Sequence, residues 1–200
     1  MTEKRRGRPR KFDETVALAA ARDVFWRKGY QGASLDDLSK AMGINRPSLF
    51  GAFGNKLALY LRALASFVEE MEVAMTQAML APVPIAEAIL TFYRSAIALY
   101  SRDGHSELGC MVFTSAIVEA PESEEIRQFL AATLARIDAA IRSRLVHARE
   151  AGELVSDANI EMLADLIVAG LHSLALRSRA GESRDDLNAR AQRLAQGIFR

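Results

Sequence analysis

The sequence is poor in the residues that most chemistry relies on. Its 200 residues hold one cysteine, Cys110. No intrachain disulfide can form, and a reducing cytoplasm is the simplest home for such a chain. The three histidines, His105, His147 and His172, are scattered. Together with one cysteine they make no recognisable coordination set, so no metal and no cofactor is expected. No nucleotide-binding glycine loop, G-x-S-x-G elbow or metalloprotease helix is present, which argues against an enzyme. No apolar run approaches the ~18 residues of a membrane span. Met1 to Lys11 is charged with no apolar stretch after it, so no secretory signal is expected. No segment shows sustained strand alternation, and no internal repeat stands out. Lysine is missing from everything beyond Lys56.

That last absence exposes an asymmetry. The net charge is only +1, yet residues 1–56 carry 12 Lys+Arg against 6 Asp+Glu, while residues 57–200 carry 14 against 19. A basic head on an acidic body suggests that the head meets a polyanion; a merely solvated basic face would give the same count. Residues 1–11 hold Lys4, Arg5, Arg6, Arg8, Arg10 and Lys11 around Gly7 and Pro9. Such a tract cannot bury a core and is expected to form a flexible basic arm.

Helical signals follow. Asp13 can cap a helix whose apolar stripe is Val16, Ala17, Ala20, Ala21, Val24 and Phe25, and Gly29 stops it. Ser34 with Asp37 three residues on reads as a capping box. The helix it opens points Leu35, Leu38, Ala41 and Met42 inward and ends at Gly43. Asn45 can cap a third helix with Pro47 in its first turn, and Leu49 and Phe53 share one face. Asn55 caps a long helix to about Leu80. Further helices are predicted near 85–102, 108–119, 123–151, 157–179 and 184–199. The expected fold is all-α with about nine helices: an arm at 1–11, a helix-turn-helix domain at 12–56 and an effector-binding and dimerisation domain at 57–200.

Residues 34–53 form the helix-turn-helix candidate. One face of its second helix must pack while the other faces a major groove. Asn45, Arg46 and Ser48 stand at the N-terminal end, where base edges are reached. Arg46 suits guanine and Asn45 adenine. Ser34 and Lys56 lie at helix N-termini, which favour phosphate. A structural helical hairpin would have the same spacing.

Residues 12–64 resemble the DNA-binding head of the TetR/AcrR family. The resemblance is carried by Ala20-Ala21, Val24-Phe25, Gly29-Tyr30 and Ser34, by the turn Met42-Gly43-Ile44, and by Ser48-Leu49-Phe50, Phe53 and Lys56-Leu57. It implies a homodimer on a palindromic double-stranded operator. This sequence departs from the family where Phe50 replaces a usual tyrosine, so the phosphate hydrogen bond of that hydroxyl is lost, and where Gly51 and Ala52 replace larger residues. Arg8-Pro9-Arg10 with Gly7 resembles a minor-groove hook; a solubilising tail is the alternative.

In the body, Met71, Met75 and Met79 recur along one helix and suit an adaptable apolar pocket, or plain core. Phe92, Tyr93, Phe113 and His172 are further pocket candidates. Cys110 near a helix start would have a lowered pKa and act as an electrophile sensor, or be a small buried residue. The last two helices, about 157–179 and 184–199, are expected to be dimer elements, because Met162, Leu163, Leu166 and Leu174 among others continue on more than one face. The function expected is a repressor released from its operator by a small apolar or amphipathic ligand. The alternatives are a cysteine-based sensor and a DNA-binding protein that senses nothing.

Overall fold

A computed structural model of the protein describes residues 12–101 and 108–199. Among these there are nine α-helices and no strand. The chain divides into two compact units, one ending at Ala63 and one beginning at Leu64.

In the first unit, helix boundaries follow side-chain chemistry. The Asp13 carboxylate accepts from the N–H groups of Thr15 at 2.8 Å and Val16 at 3.2 Å and so starts α1 (Glu14–Gly32), whose regular geometry breaks at Gly29. Ser34 opens α2 (Leu35–Met42): the Asp37 N–H donates to the Ser34 hydroxyl at 3.0 Å, and the Ser34 N–H donates back to the Asp37 carboxylate at 3.2 Å. Gly43 ends α2 at φ 64°, a left-handed conformation that other residues adopt only at a cost. Asn45 accepts from the Ser48 N–H at 2.9 Å and starts α3 (Arg46–Phe53). Asn55 accepts from the Ala58 N–H at 2.8 Å and starts α4 (Lys56–Leu80).

The packing faces of these helices meet in a core that includes Phe25, Trp26, Leu38, Leu49, Phe53 and Tyr60, all buried. Burial of each such side chain contributes about 1.5–3 kcal/mol. Two residues expected inside are not. Val16 is 66 % exposed, and Ala41 is also exposed. The buried side of α1 runs through Ala17, Ala21, Arg22, Phe25 and Trp26, and Val16 stands about 100° round the helix from Ala17.

Asp37 joins this packing to pH. Hydrogen bonds from Lys28, 2.8 Å away, and from Ser34 hold its carboxyl down to about 2, from an ordinary 3.8. A folded pKa below the unfolded one contributes stability that is present above the unfolded value and lost as pH falls through the folded value. Asp37→Ala is therefore expected to melt earlier than the parent at neutral pH, with a gap that narrows as pH drops from about 4 towards 2. A gap that stays constant over that range would rule out a role for the charge.

The second unit contains the rest of α4, α5 (Ile85–Tyr100), a π-helical turn at Val112–Ala116, a short α6 (Ile117–Glu119), α7 (Glu124–Glu150), α8 (Ile160–Arg179) and α9 (Arg184–Ile198). α5 packs on both α8 and α9 and buries Ile89, Phe92, Tyr93, Ile97 and Tyr100. The Tyr93 hydroxyl donates to the Ile167 carbonyl at 2.8 Å. A Cβ on Gly170 would lie 2.5 Å from that hydroxyl, so the glycine permits the close approach of α8.

Residues 108–119, expected as one helix, begin differently. Gly109 sits at φ 64°, where a Cβ would fall 2.7 Å from the Ala175 carbonyl oxygen. A left-handed residue pressed against α8 cannot belong to a right-handed helix, so helical structure starts only after Cys110.

The start of α5 is also unusual. Pro84 occupies its cap position without a side-chain hydrogen bond. Instead the Ile85 N–H donates to Glu153 Oε2 at 2.5 Å. Arg144 of α7 donates through Nη2 to the Val83 carbonyl at 2.7 Å and stands 3.6 Å from Glu153 Oε1. These two charged side chains tie the α4–α5 turn to the end of α7.

Candidate functional sites

α3 has a packed side and an open side. Leu49 and Phe53 are buried, while Arg46, Pro47, Phe50 and Gly51 are exposed. Arg46 is not loose on that surface. Its Nε and Nη2 both donate to Asp36 Oδ1 of α2, at 3.1 and 2.8 Å. This exposed pair spreads the guanidinium across the start of α3 and stands ten residues apart in sequence, a juxtaposition the helix pattern alone does not reveal. Asn45 spends its carbonyl oxygen on the cap, so its amide NH2 is the group it can offer a base.

The phosphate candidates are also engaged. The Ser34 hydroxyl donates to Asp37 Oδ2 at 2.8 Å. The Lys56 ammonium lies 4.6 Å from the centre of the Tyr30 ring, a cation–π contact that holds it at the start of α4. Phe50 is 44 % exposed and has no hydroxyl to give a phosphate. Arg62, not singled out from sequence, lies over the Phe53 ring and donates to the Ala52 carbonyl at 3.3 Å. Its position nearly two turns past Lys56 gave no motif signal. Arg5, Arg6, Arg8 and Arg10 lie outside the described residues.

The body candidates divide into two groups. Met71, Met75 and Phe92 surround a void of only about 10 Å³, room for one water at most. Cys110, Phe113 and His172 lie at or against the π turn, while Tyr93 of α5 reaches the Ile167 carbonyl of α8. The Phe113 and His172 rings meet edge to face at 4.2 Å. Burial pushes the His172 pKa down, against a raising influence from Asp138. His172 Nε2 and the Tyr100 hydroxyl are buried with no well-formed hydrogen bond among the described residues.

Of the two readings of Cys110, a reactive thiol or a small buried residue, the structure fits the second. It is fully buried, and desolvation pushes its pKa up to about 11; the Phe113 and Val112 N–H groups only partly offset this. The nucleophile is the thiolate, and burial suppresses it. The larger hollows lie elsewhere, along the last turn of α4 and the end of α7. Sequence reasoning missed them because Arg144 and His147 look like any surface positions of a charged helix.

Comparison with known proteins settles the framework. The family described as bacterial regulatory proteins, tetR family, matches residues 17–63, and the tetracyclin repressor-like C-terminal domain matches residues 86–194. The chain belongs to the TetR family. Among TetR-family relatives, the HTH-type transcriptional regulator YezE of Bacillus subtilis (strain 168) is 32 % identical over 79 % of this chain and 81 % of its own. The HTH-type transcriptional repressor ComR of Escherichia coli (strain K12) is 26 % identical over 92 % of this chain and 88 % of its own. A cysteine mutant of the TetR-family regulator CifR, solved with 26-bp double-strand operator DNA, superposes with a TM-score of 0.84 at 34 % identity. That match covers 94 % of this chain and 98 % of the other.

As a TetR-family member, this chain is a transcriptional regulator with an N-terminal helix-turn-helix, in a family of DNA-binding proteins rather than catalysts. No helix of the described residues is long and apolar enough to cross a membrane.

Proposed function

We propose that this chain is a homodimeric repressor that holds a palindromic operator through α3 and is released from it by a small apolar or amphipathic ligand bound in the body. The observation that carries the reading is α3 itself, capped by Asn45, packed on one side and presenting Arg46 on the other. In this reading the arm at 1–11 adds sequence-independent affinity through Arg5, Arg6, Arg8 and Arg10. Residues 12–56, with Ser34, Asn45, Arg46, Ser48, Phe50 and Lys56, meet the DNA. Residues 57–200 sense and dimerise. Repression is supported by the similarity to ComR, a transcriptional repressor, and the operator-bound CifR structure supports the DNA partner.

Dimerisation is supported by α8. Met162, Leu166 and Leu176 are 53, 47 and 61 % exposed on a helix whose opposite side is buried. They recur at helical spacing, so they form one outward apolar stripe. Exposed apolar stripes of this kind mark association surfaces. Leu166→Glu is expected to elute as a monomer in size-exclusion chromatography with light scattering and to lose operator binding. Half-sites must be held together for high affinity. A dimeric Leu166→Glu protein would place the interface elsewhere.

Asp36 gives a finer test of the α3 assignment. It is the acidic group nearest the proposed base contact, and it orients Arg46. Asp36→Asn removes one repulsive charge from a phosphate-facing surface. Affinity for random duplex is expected to rise, while the operator-to-random ratio falls by about 1.5- to 5-fold, the worth of an exposed ion pair. Equal gains on both DNAs would mean that the pair does not orient Arg46. The reading as a whole is tested by footprinting on DNA flanking the coding region, repeated with candidate ligands.

A further inference from the structure

Two adjoining hollows of about 480 and 420 Å³ share Met79 and Leu80 of α4 and Arg144 and His147 of α7. Their size falls within the range of small-molecule sites. We propose that they form a binding site for a small carboxylate-bearing amphiphile, with the acid group held by Arg144 and the apolar chain laid on Met79 and Leu80.

Arg144 carries the argument. It is only 7 % exposed, and both of its acceptors sit on one nitrogen. Nη2 donates to the Val83 carbonyl at 2.7 Å and faces Glu153 Oε1 at 3.6 Å. Nη1 is buried with no hydrogen-bond partner among the described residues. Leaving a charged donor unsatisfied inside a protein is costly, and such an atom calls for a partner that the chain itself does not supply. Glu153 does not fill that role in the structure: its Oε1 faces Nη2 and its Oε2 is turned to the Ile85 N–H.

The surroundings select an anion. The start of α5 beside this groove is already served by the Glu153 carboxylate, so the group left to receive an anion is the Arg144 Nη1. His147 stands exposed on the rim as a further donor. A cation would be repelled by Arg144, and a neutral apolar molecule would leave Nη1 unsatisfied. The other wall selects an apolar chain. Met79 is an adaptable surface, Leu80 is 78 % exposed, and Pro82 and Val83 continue the lining.

The site deepens the reading of this body as an effector domain, but its binding test does not depend on that reading. Decanoate, decyltrimethylammonium and decanol are titrated calorimetrically into the full-length protein. Decanoate is expected to bind and the other two to bind at least about tenfold more weakly. His147→Glu adds a negative charge at the exposed rim, and Leu80→Glu adds one on the exposed apolar wall. Each is expected to weaken decanoate by about tenfold or more without changing the melting temperature. Arg144→Lys keeps the charge but loses the second terminal nitrogen and is expected to lose decanoate too. The proposal is overturned if decanoate does not bind up to about 1 mM, if the ammonium compound binds equally, or if both rim variants bind decanoate as the parent does. Operator release is scored separately. Decanoate that binds with these variant effects but leaves operator affinity unchanged upholds the site and removes the effector reading for it.

Discussion

Replacing Arg46 with alanine is expected to weaken operator binding by about 1–3 kcal/mol, the worth of a bidentate contact to a base, or roughly 5- to 150-fold. Binding to random duplex should fall far less, because a single phosphate-range charge is one of many in the basic head. The side chain lies on the open side of α3, and its guanidinium is already spread by Asp36. The loss is therefore expected in specificity first. Gel-shift titrations against operator and scrambled DNA, at one salt concentration, measure both numbers. Parallel losses on the two DNAs would make Arg46 a phosphate contact, and no loss on either would remove α3 from the interface.

The second large effect is on stability. Gly109→Ala must hold a left-handed conformation, which costs about 1–2 kcal/mol, and must also place a Cβ 2.7 Å from the Ala175 carbonyl and 3.1 Å from Arg179 Cβ. Overpacking of that kind costs about 1–3 kcal/mol. The sum, about 2–5 kcal/mol, corresponds to a fall in melting temperature of roughly 4–20 °C for a chain of this size. Gly152 is the internal control. It has a similar φ of 77° with nothing within 4 Å of its notional Cβ, so Gly152→Ala is expected to show the conformational cost alone. Equal destabilisation by the two variants would show that the π-turn segment gives way from α8 freely.

The contrast between these two sites shows what a sequence makes legible. Caps are local, and Asp13, Ser34, Asn45 and Asn55 each bond a backbone N–H two or three residues on. The helix-turn-helix could therefore be placed almost to the residue, and the family match confirms its framework. Contacts between distant residues leave no such trace. Asp36 meets Arg46 because two helices cross, and Arg144 meets Val83 across 61 positions. The late start of the helix after Cys110 was invisible because the approach of Ala175 to Gly109 is tertiary. The methionine stripe at Met71 and Met75 was readable as apolar, but periodicity cannot separate a filled core from a cavity. Here the space between those side chains is nearly closed. The two readings of Cys110 stayed open for a related reason: proximity to a helix start is visible in sequence, while complete burial is not.

The borrowed cap of α5 has a consequence for how the chain emerges from the ribosome. The first unit is complete by Ala63, and the caps of its helices lie next to them in sequence. α5 must wait. Its first N–H finds its acceptor 68 residues later, at Glu153, and α8 and α9, on which it packs, follow later still. At about 5–20 residues per second of synthesis, roughly 3–14 s separate the appearance of α5 from that of its cap. During that interval a strongly apolar helix has left the tunnel without the partners that bury it. The DNA-reading unit can be assembled on a nascent chain whose body is still exposed, and the body is the part that makes demands on chaperones.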